Sequence, residues 1–273
     1  MSVTTPITYY GGKQKLSSII IPRLPTHRLY AEPFVGGGAI FFNKEKSAVE
    51  VLNDTNRELI NFYKIVQQEF VSLEKEISIS LHARDLHRKA KVINANPDMF
   101  SEIKRAWAIW VLSQQSFAGM LDGSWGYDIK KNTTSTKIKN KREGFSIDLA
   151  IRLQDVQIEC TDALRIIKSR DTEGSLFYCD PPYYNSDCGH YDGYTIEDFQ
   201  MLLETLSNIK GKFLLSSYPS PILTKFTKAK KWSNLQIKQR VSVANVNSKK
   251  PPKQKIEVLT ANYDLCCVDT MFY

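Results

Sequence analysis

At 273 residues the chain can bury a full core, as one large domain or as a domain carrying an insertion. Its 42% hydrophobic content excludes a disordered or fibrous protein, and no apolar stretch is long enough to span a bilayer. The net charge of +8 points to a polyanionic partner, although a merely basic globular protein would carry the same charge. Near the start, Tyr9-Tyr10-Gly11-Gly12-Lys13 reads as a glycine turn ending in a cation. Arg28 to Phe34 reads as a strand leading into Val35-Gly36-Gly37-Gly38, and Ala39-Ile40-Phe41-Phe42 begins a helix. A second strand, Ala48–Leu52, ends at Asn53-Asp54. A helix with Leu59, Ile60, Tyr63, Val66, Phe70 and Leu73 on one face follows it. This βαβα opening predicts a doubly wound α/β sheet.

From about Leu81 to Phe117 the pattern is helical, with Asn96-Pro97 as a start signal before Ile103, Trp107, Trp110 and Val111. Residues Phe117 to Phe145 are rich in Gly, Thr, Asn and Lys, which predicts a hairpin or loop. The sheet resumes with Val156–Cys160, a helix from Asp162, and the apolar run Leu176–Cys179. Thr195 and Asp198 have capping-box spacing before a further helix. Strands are expected at Phe213–Ser216, 235–243 and 256–261. The expected division is a catalytic domain of 1–60 and 149–273, interrupted by an insertion of 61–148.

Charge is unevenly placed. No acidic residue lies between Glu204 and Glu257, while lysines from Lys225 to Lys255 and Arg240 fall there. A second basic cluster runs from Lys130 to Arg142. The five cysteines form no C-x-x-C pair, so free thiols in a reducing compartment fit best. The four histidines show no metal-ligand spacing, and no metal is expected. No signal peptide is expected, and the anticipated location is the cytoplasm.

The chemistry concentrates in Asp180-Pro181-Pro182-Tyr183, which follows the 176–179 run. Two prolines stop the strand. One carboxylate, one stiff turn and one aromatic ring thus stand at the carboxyl end of a central strand, where open α/β sheets bind ligands. The exocyclic amino group of a nucleobase is a poor nucleophile, because its lone pair is delocalised into the ring. An ionised Asp can accept one N–H and a fixed carbonyl the other, which preorganises the nitrogen for attack. Tyr183 offers a face for stacking an extruded base. In isolation the tetrad is equally well a strand followed by a proline turn. The turn at Gly36–Gly38 lacks the third glycine of a dinucleotide fingerprint, since Phe41 stands there, and so suits a nucleoside ligand. Asp54 can accept ribose hydroxyls or cap the next helix.

Tyr9–Lys13, Ala31–Gly38, Asn53-Asp54 and Asp180–Tyr183 occur in the order found in Dam-type DNA adenine-N6 methyltransferases, the α-arranged amino-methyltransferases. Phe117-Ala118-Gly119 and the closing Glu257–Tyr263 also resemble that family. The resemblance covers nearly the whole chain and is weakest over 65–155. It implies a Rossmann-like doubly wound methyltransferase sheet with an inserted helical plus hairpin target-recognition domain. It also implies methyl transfer from S-adenosylmethionine to adenine N6 in duplex DNA, with the base flipped out. For the cofactor it implies Tyr9, Lys13, Phe34, Gly36, Gly38, Asp54 and Asp180, and more loosely Asp162, which is as readily a helix cap. Asp180, Pro181, Pro182 and Tyr183 would be catalytic, with Tyr184 and Tyr191 beside them.

Ser124, Trp125, Tyr127, Asn132 and Arg142 are candidate base readers or strand wedges. Lys137, Lys139, Lys141 and Arg142 are candidate phosphate contacts. Each alone is also an ordinary solvated loop residue. Within the resemblance, a cytosine-N4 enzyme would more often carry Ser at position 180, and an RNA or protein-glutamine enzyme Asn. A decayed, non-catalytic DNA-binding relative is disfavoured by intact Asp180, Asp54 and Lys13, and a nicotinamide oxidoreductase by the glycine spacing. The partner expected is double-stranded DNA in a bacterial or phage setting. The sequence leaves the oligomeric state and the recognition site open.

Overall fold

Seven short strands carry the apolar runs: β1 (Leu29–Glu32), β2 (Val49–Asn53), β3 (Gln157–Glu159), β4 (Ser175–Cys179), β5 (Lys212–Ser217), β6 (Ser233–Arg240) and β7 (Gln254–Ala261). The structure is a computed structural model and describes residues 4–184, 193–240 and 254–265. The strand order is β3-β2-β1-β4-β5-β7-β6. β2 pairs parallel with β3, β1 with β4, and β4 with β5. β7 runs antiparallel to both β5 and β6. The order reverses at the β1/β4 neighbours, and this switch point is where a doubly wound sheet binds its ligand. The chain divides into two compact units, 1–21 with 35–161 and 22–34 with 162–273.

The first unit holds β2, β3 and eight helices: α1 (Ser17–Ile20), α2 (Ala39–Asn43), α3 (Arg57–Gln68), α4 (Phe70–Ser78), α5 (Arg84–Ala95), α6 (Glu102–Gln115), α7 (Thr133–Glu143) and α8 (Asp148–Leu153). α6 is its post. Every residue from Arg105 to Ser113 is buried, so helices must surround it. α3, α4, α5 and α7 pack against it. Three polar contacts tie it to its neighbours, while Trp110 Nε1 is buried without a hydrogen-bond partner among the described residues. Arg105 makes a forked pair with Glu58 at 2.7 and 2.8 Å, Trp107 Nε1 donates to Ser80 Oγ at 2.7 Å, and Asn61 donates to the Glu102 carbonyl at 2.9 Å.

The expected single helix over 59–73 is two. Glu69 leaves the helical region at φ −130°, which separates α3 from α4. Asn96-Pro97 opens only a 3-10 turn, Pro97–Met99. α6 starts after Ser101, whose hydroxyl accepts from Lys104 N. The 117–145 stretch differs more. Ser116 and Trp125 form one antiparallel bridge, as expected of a hairpin, but Thr133–Glu143 is a helix. Its sequence, TTSTKIKNKRE, buries one residue, Ile138, and so carries almost no apolar periodicity to announce a helix.

The second unit holds β1, β4–β7, α9 (Ala163–Ser169), α10 (Ile196–Leu206) and α11 (Pro221–Lys230). β4 is buried at every position, as a central parallel strand requires. The Thr195/Asp198 capping box forms. Ser220 caps α11 with Pro221 in its first turn.

A buried ionic network joins α2, β2 and α8 in the first unit. Glu50, 2% exposed at its side chain, bonds Lys44 Nζ at 2.5 Å and both terminal nitrogens of Arg152 at 2.5 and 2.9 Å. Burial pushes Glu50 up, but the Arg152 hydrogen bonds and the Lys44 charge outweigh it and hold the carboxyl below its ordinary range. Glu50→Ala should therefore cost about 3–5 kcal/mol, because it leaves two cations uncompensated. Glu50's own contribution is present above the ordinary carboxylate range and is lost as pH falls below it. Urea unfolding of both proteins across acid pH checks the magnitude and the sign.

Candidate active site

In the second unit, Asp180 follows the last residue of β4, beside β1 at the switch point. Asp180, Pro182 and Tyr183 are half-buried and Pro181 is buried. The Tyr183 hydroxyl lies 3.0 Å from Asp180 Oδ1 and also bonds Glu257 Oε1 on β7. Burial, with the Asp180 and Glu257 charges behind it, raises the Tyr183 phenol far above its ordinary pKa, so it keeps its proton. The Tyr183 ring meets Tyr218 edge-on at 4.4 Å, and Lys255 Nζ stands 5.6 Å from the Tyr218 ring. Below them Tyr178 reaches Ser216 Oγ at 3.3 Å, and Tyr30 donates to Glu32 Oε1 at 2.7 Å. Cys179 is buried, and burial together with Asp180 pushes its thiol up, so it is no nucleophile.

Phe34 lies edge-on to Tyr194, with centroids 6.4 Å apart at 90°. The Tyr194 hydroxyl has no hydrogen-bond partner among the described residues. Asp162 caps α9, accepting from Arg165 N at 3.1 Å. Its charge also contributes to the raised pKa of Tyr194, of which burial is the main cause. Tyr184 packs on Phe199, and Tyr191 lies outside the described residues.

In the first unit the glycine turn is held by Asp54. Gly36 N–H donates to Asp54 Oδ2 at 3.1 Å and Asn56 N–H to Oδ1 at 3.0 Å. Asn56, not Asp54, caps α3 by accepting from Glu58 N and Leu59 N. Gly36 and Gly38 have φ of +47° and +64°, a region that β-carbons disfavour. A β-carbon at Gly36 would stand 3.2 Å from the Tyr9 ring, and one at Gly37 2.9 Å from Tyr9 Cβ, so Tyr9 seats on the turn. Tyr63 OH donates to Gly36 O at 2.7 Å. Lys13 is buried and donates to Gly11 O at 3.1 Å. Burial raises the Asp54 carboxyl, and the backbone N–H groups of Asn56, Gly36 and Thr55 partly offset it.

S-adenosylmethionine fits this donor set. An ionised carboxylate has about four lone-pair sites, and the two N–H bonds leave Asp54 capacity for ribose hydroxyls. Tyr63 and Asn56 were not singled out in the sequence. Their signal was weak, a tyrosine on a core stripe and an Asn three residues past the strand.

The basic segment, also in the first unit, is not uniform. Trp125 and Tyr127 stack at 5.6 Å and 17°, Arg84 lies 4.5 Å over Trp125, and the His82 ring packs on Trp125 at 4.8 Å. Tyr127 is 59% exposed, and Ser124, Asn132, Lys137 and Lys139 are exposed as well. Lys141 and Arg142, in contrast, turn inward. Lys141 Nζ donates to Thr5 O at 2.6 Å and Arg142 to Ser80 O at 3.1 Å. The last turn of α7 faces the protein, which periodicity-free sequence could not reveal.

A family model, described as D12 class N6 adenine-specific DNA methyltransferase, matches residues 9–246. The chain belongs to this family. A DNA N-6-adenine-methyltransferase of Escherichia phage P1 is 30% identical over 181 residues, covering 63% of this chain and 23% of that protein. The type II methyltransferase M1.LlaDCHI of Lactococcus lactis subsp. cremoris is 26% identical, covering 93% of each chain. The DNA adenine methylase of Escherichia coli K12 is 23% identical, covering 94% of each. The chain thus spans under a quarter of the phage relative and nearly all of the other two. As a D12 methyltransferase it methylates adenine N6 in DNA, with S-adenosylmethionine as the methyl donor. Among the described residues no cluster could hold a metal, and no helix is long and apolar enough to cross a membrane.

Burial holds the Lys141 ammonium down to a pKa of about 8, against 10.5 when solvated. Between these values the unfolded chain binds a proton that the folded protein does not. Stability relative to Lys141→Met should therefore rise with pH across that window and stay flat below it. Paired denaturation midpoints at several alkaline pH values check this, and a constant offset would mean Lys141 is solvated.

Proposed function

We propose that the chain is a site-specific adenine methyltransferase in which Asp180, Pro181, Pro182 and Tyr183 activate a flipped adenine, while Tyr9, Lys13, Phe34, Gly36, Gly38, Asp54 and Asp162 hold the cofactor. The observation that carries it is Asp180 standing at the carboxyl end of the buried strand β4, beside β1, where the sheet order reverses. When bound, S-adenosylmethionine supplies a methyl group already activated by its sulfonium. The protein's task is then mainly positioning. Asp180 accepts one N6–H, the carbonyl fixed by the diproline accepts the other, and the amino nitrogen moves towards a tetrahedral shape with a free lone pair. Tyr183 stacks on the base. Extruding that base costs a few kcal/mol, which phosphate contacts offset.

In this reading residues 61–148 form the target-recognition insertion and read DNA. The Trp125–Tyr127 stack with Ser124 and Asn132 supplies base contacts or a wedge. Lys137 and Lys139 supply phosphate contacts, whereas Lys141 and Arg142 are committed to the carbonyls of Thr5 and Ser80. Neutralising Lys137 and Lys139 together should flatten the slope of log affinity against log salt by about 2 units on B-DNA. Neutralising Lys141 and Arg142 should act on stability instead. Fluorescence anisotropy across salt concentrations distinguishes the two pairs, and an unchanged slope for the first pair would remove α7 from the duplex.

The roles of the two aspartates separate. Asp180→Ala should abolish methyl transfer and retain at least part of the affinity for S-adenosylhomocysteine. Asp54→Ala should weaken that affinity, since it loses both the ribose acceptor and the tie to Gly36. Calorimetric titration and nucleoside mass analysis of treated DNA test this. Equal loss of binding in both variants, or N4-methylcytosine as the product, would refute the assignment.

A further inference from the structure

One phenol in the second unit serves two carboxylates. The Tyr183 hydroxyl contacts Asp180 Oδ1 at 3.0 Å and Glu257 Oε1. A phenol has one proton to donate and lone pairs to accept. It therefore cannot donate to both acids at once. If Asp180 gains a proton, the conflict disappears: Asp180 donates to the Tyr183 oxygen while Tyr183 donates to Glu257. The two acids also differ in surroundings. Glu257 is 5% exposed, whereas Asp180 is half-buried, so the phenol bridges a deeper acid and one nearer the surface.

We propose that Glu257 is a positioning residue that takes up, through Tyr183, the proton that adenine N6 sheds on methylation. The inference rests on the assignment of Asp180 to the target amino group. As the N6–methyl bond forms at the expense of the sulfur–methyl bond, nitrogen becomes positive and one N6–H bond breaks. Its electron pair stays on nitrogen and its proton passes to Asp180. Asp180 passes a proton to the Tyr183 oxygen, and Tyr183 passes its own to Glu257 Oε1. The net change is one proton moved from N6 to Glu257, with Asp180 again a carboxylate and Tyr183 again a phenol. Titratable groups around Glu257 among the described residues include Asp180, Tyr178 and Tyr183 from β4 and its turn, and Glu32 from β1 acting on Tyr178. Lys255 lies on β7 itself, over the Tyr218 ring.

Glu257→Gln keeps an acceptor for the Tyr183 hydroxyl but cannot take a proton. Its single-turnover methyl transfer should fall about tenfold or more, the lower end of what proton transfer contributes. Cofactor and DNA affinities should be unchanged. The deficit should shrink as pH rises from about 6 to about 9, because solvent base substitutes for the lost acceptor. Tyr183→Phe should show the same loss and the same pH response, and the double variant should be no slower than Tyr183→Phe alone. A Glu257→Gln rate within about twofold of the parent at every pH would overturn the proposal. If a thermal melt shows Glu257→Gln unfolded, Tyr183→Phe decides by the same two readouts. Asp180→Ala in the same series separates the layers. If it is inactive while Glu257→Gln matches the parent, only the relay fails, whereas activity in Asp180→Ala removes the assignment beneath it.

Discussion

The Asp54 carboxylate fixes the glycine turn of the first unit. It takes one N–H from Gly36 and one from Asn56, so it ties the glycine turn after β1 to the entry of α3. Both bonded groups are backbone, and neither can rotate away as a side chain could. The turn's positive φ angles at Gly36 and Gly38, and the seat of Tyr9 on it, follow from that anchoring. A half-buried carboxylate resists ionisation, and the backbone N–H donors counter that resistance without a cation. An acid held this way keeps lone pairs for hydroxyl donors, which suits a nucleoside sugar.

The end of β4 uses a phenol where the scaffold uses cations. Glu50 and Glu58 are clamped by Lys44, Arg152 and Arg105, and such pairs are rigid. Asp180 and Glu257 share the Tyr183 hydroxyl. A phenol can exchange donor and acceptor roles within one geometry, whereas a guanidinium can only donate. Chemistry that releases a proton is better served by the first arrangement.

The sheet could be read from the chain because its signals are local. Leu176–Cys179 is a continuous apolar run stopped by two prolines, and Thr195 and Asp198 stand at capping spacing. Both features act within a few residues. The family motifs were equally plain, since each is a short turn at a strand end. Three features needed coordinates. The contact of Glu257 with Tyr183 depends on β7 pairing beside β5, a contact between residues far apart in sequence. Helix α7 carries no apolar stripe, so its residues looked like loop, and the inward turn of Lys141 and Arg142 was invisible among outward lysines. The break at Glu69 was hidden because α3 and α4 keep one apolar stripe across it.

The burial of α6 on every face limits how such an enzyme can change. A residue there serves several neighbouring helices at once, and a side chain enlarged or trimmed for one of them is wrong for the others. The exposed positions around Tyr127 and along the first turns of α7 answer to no such joint demand. Substitutions can accumulate there without loss of folding. Sequence divergence is thereby channelled into a thin outer layer, while the post beneath it stays as it was.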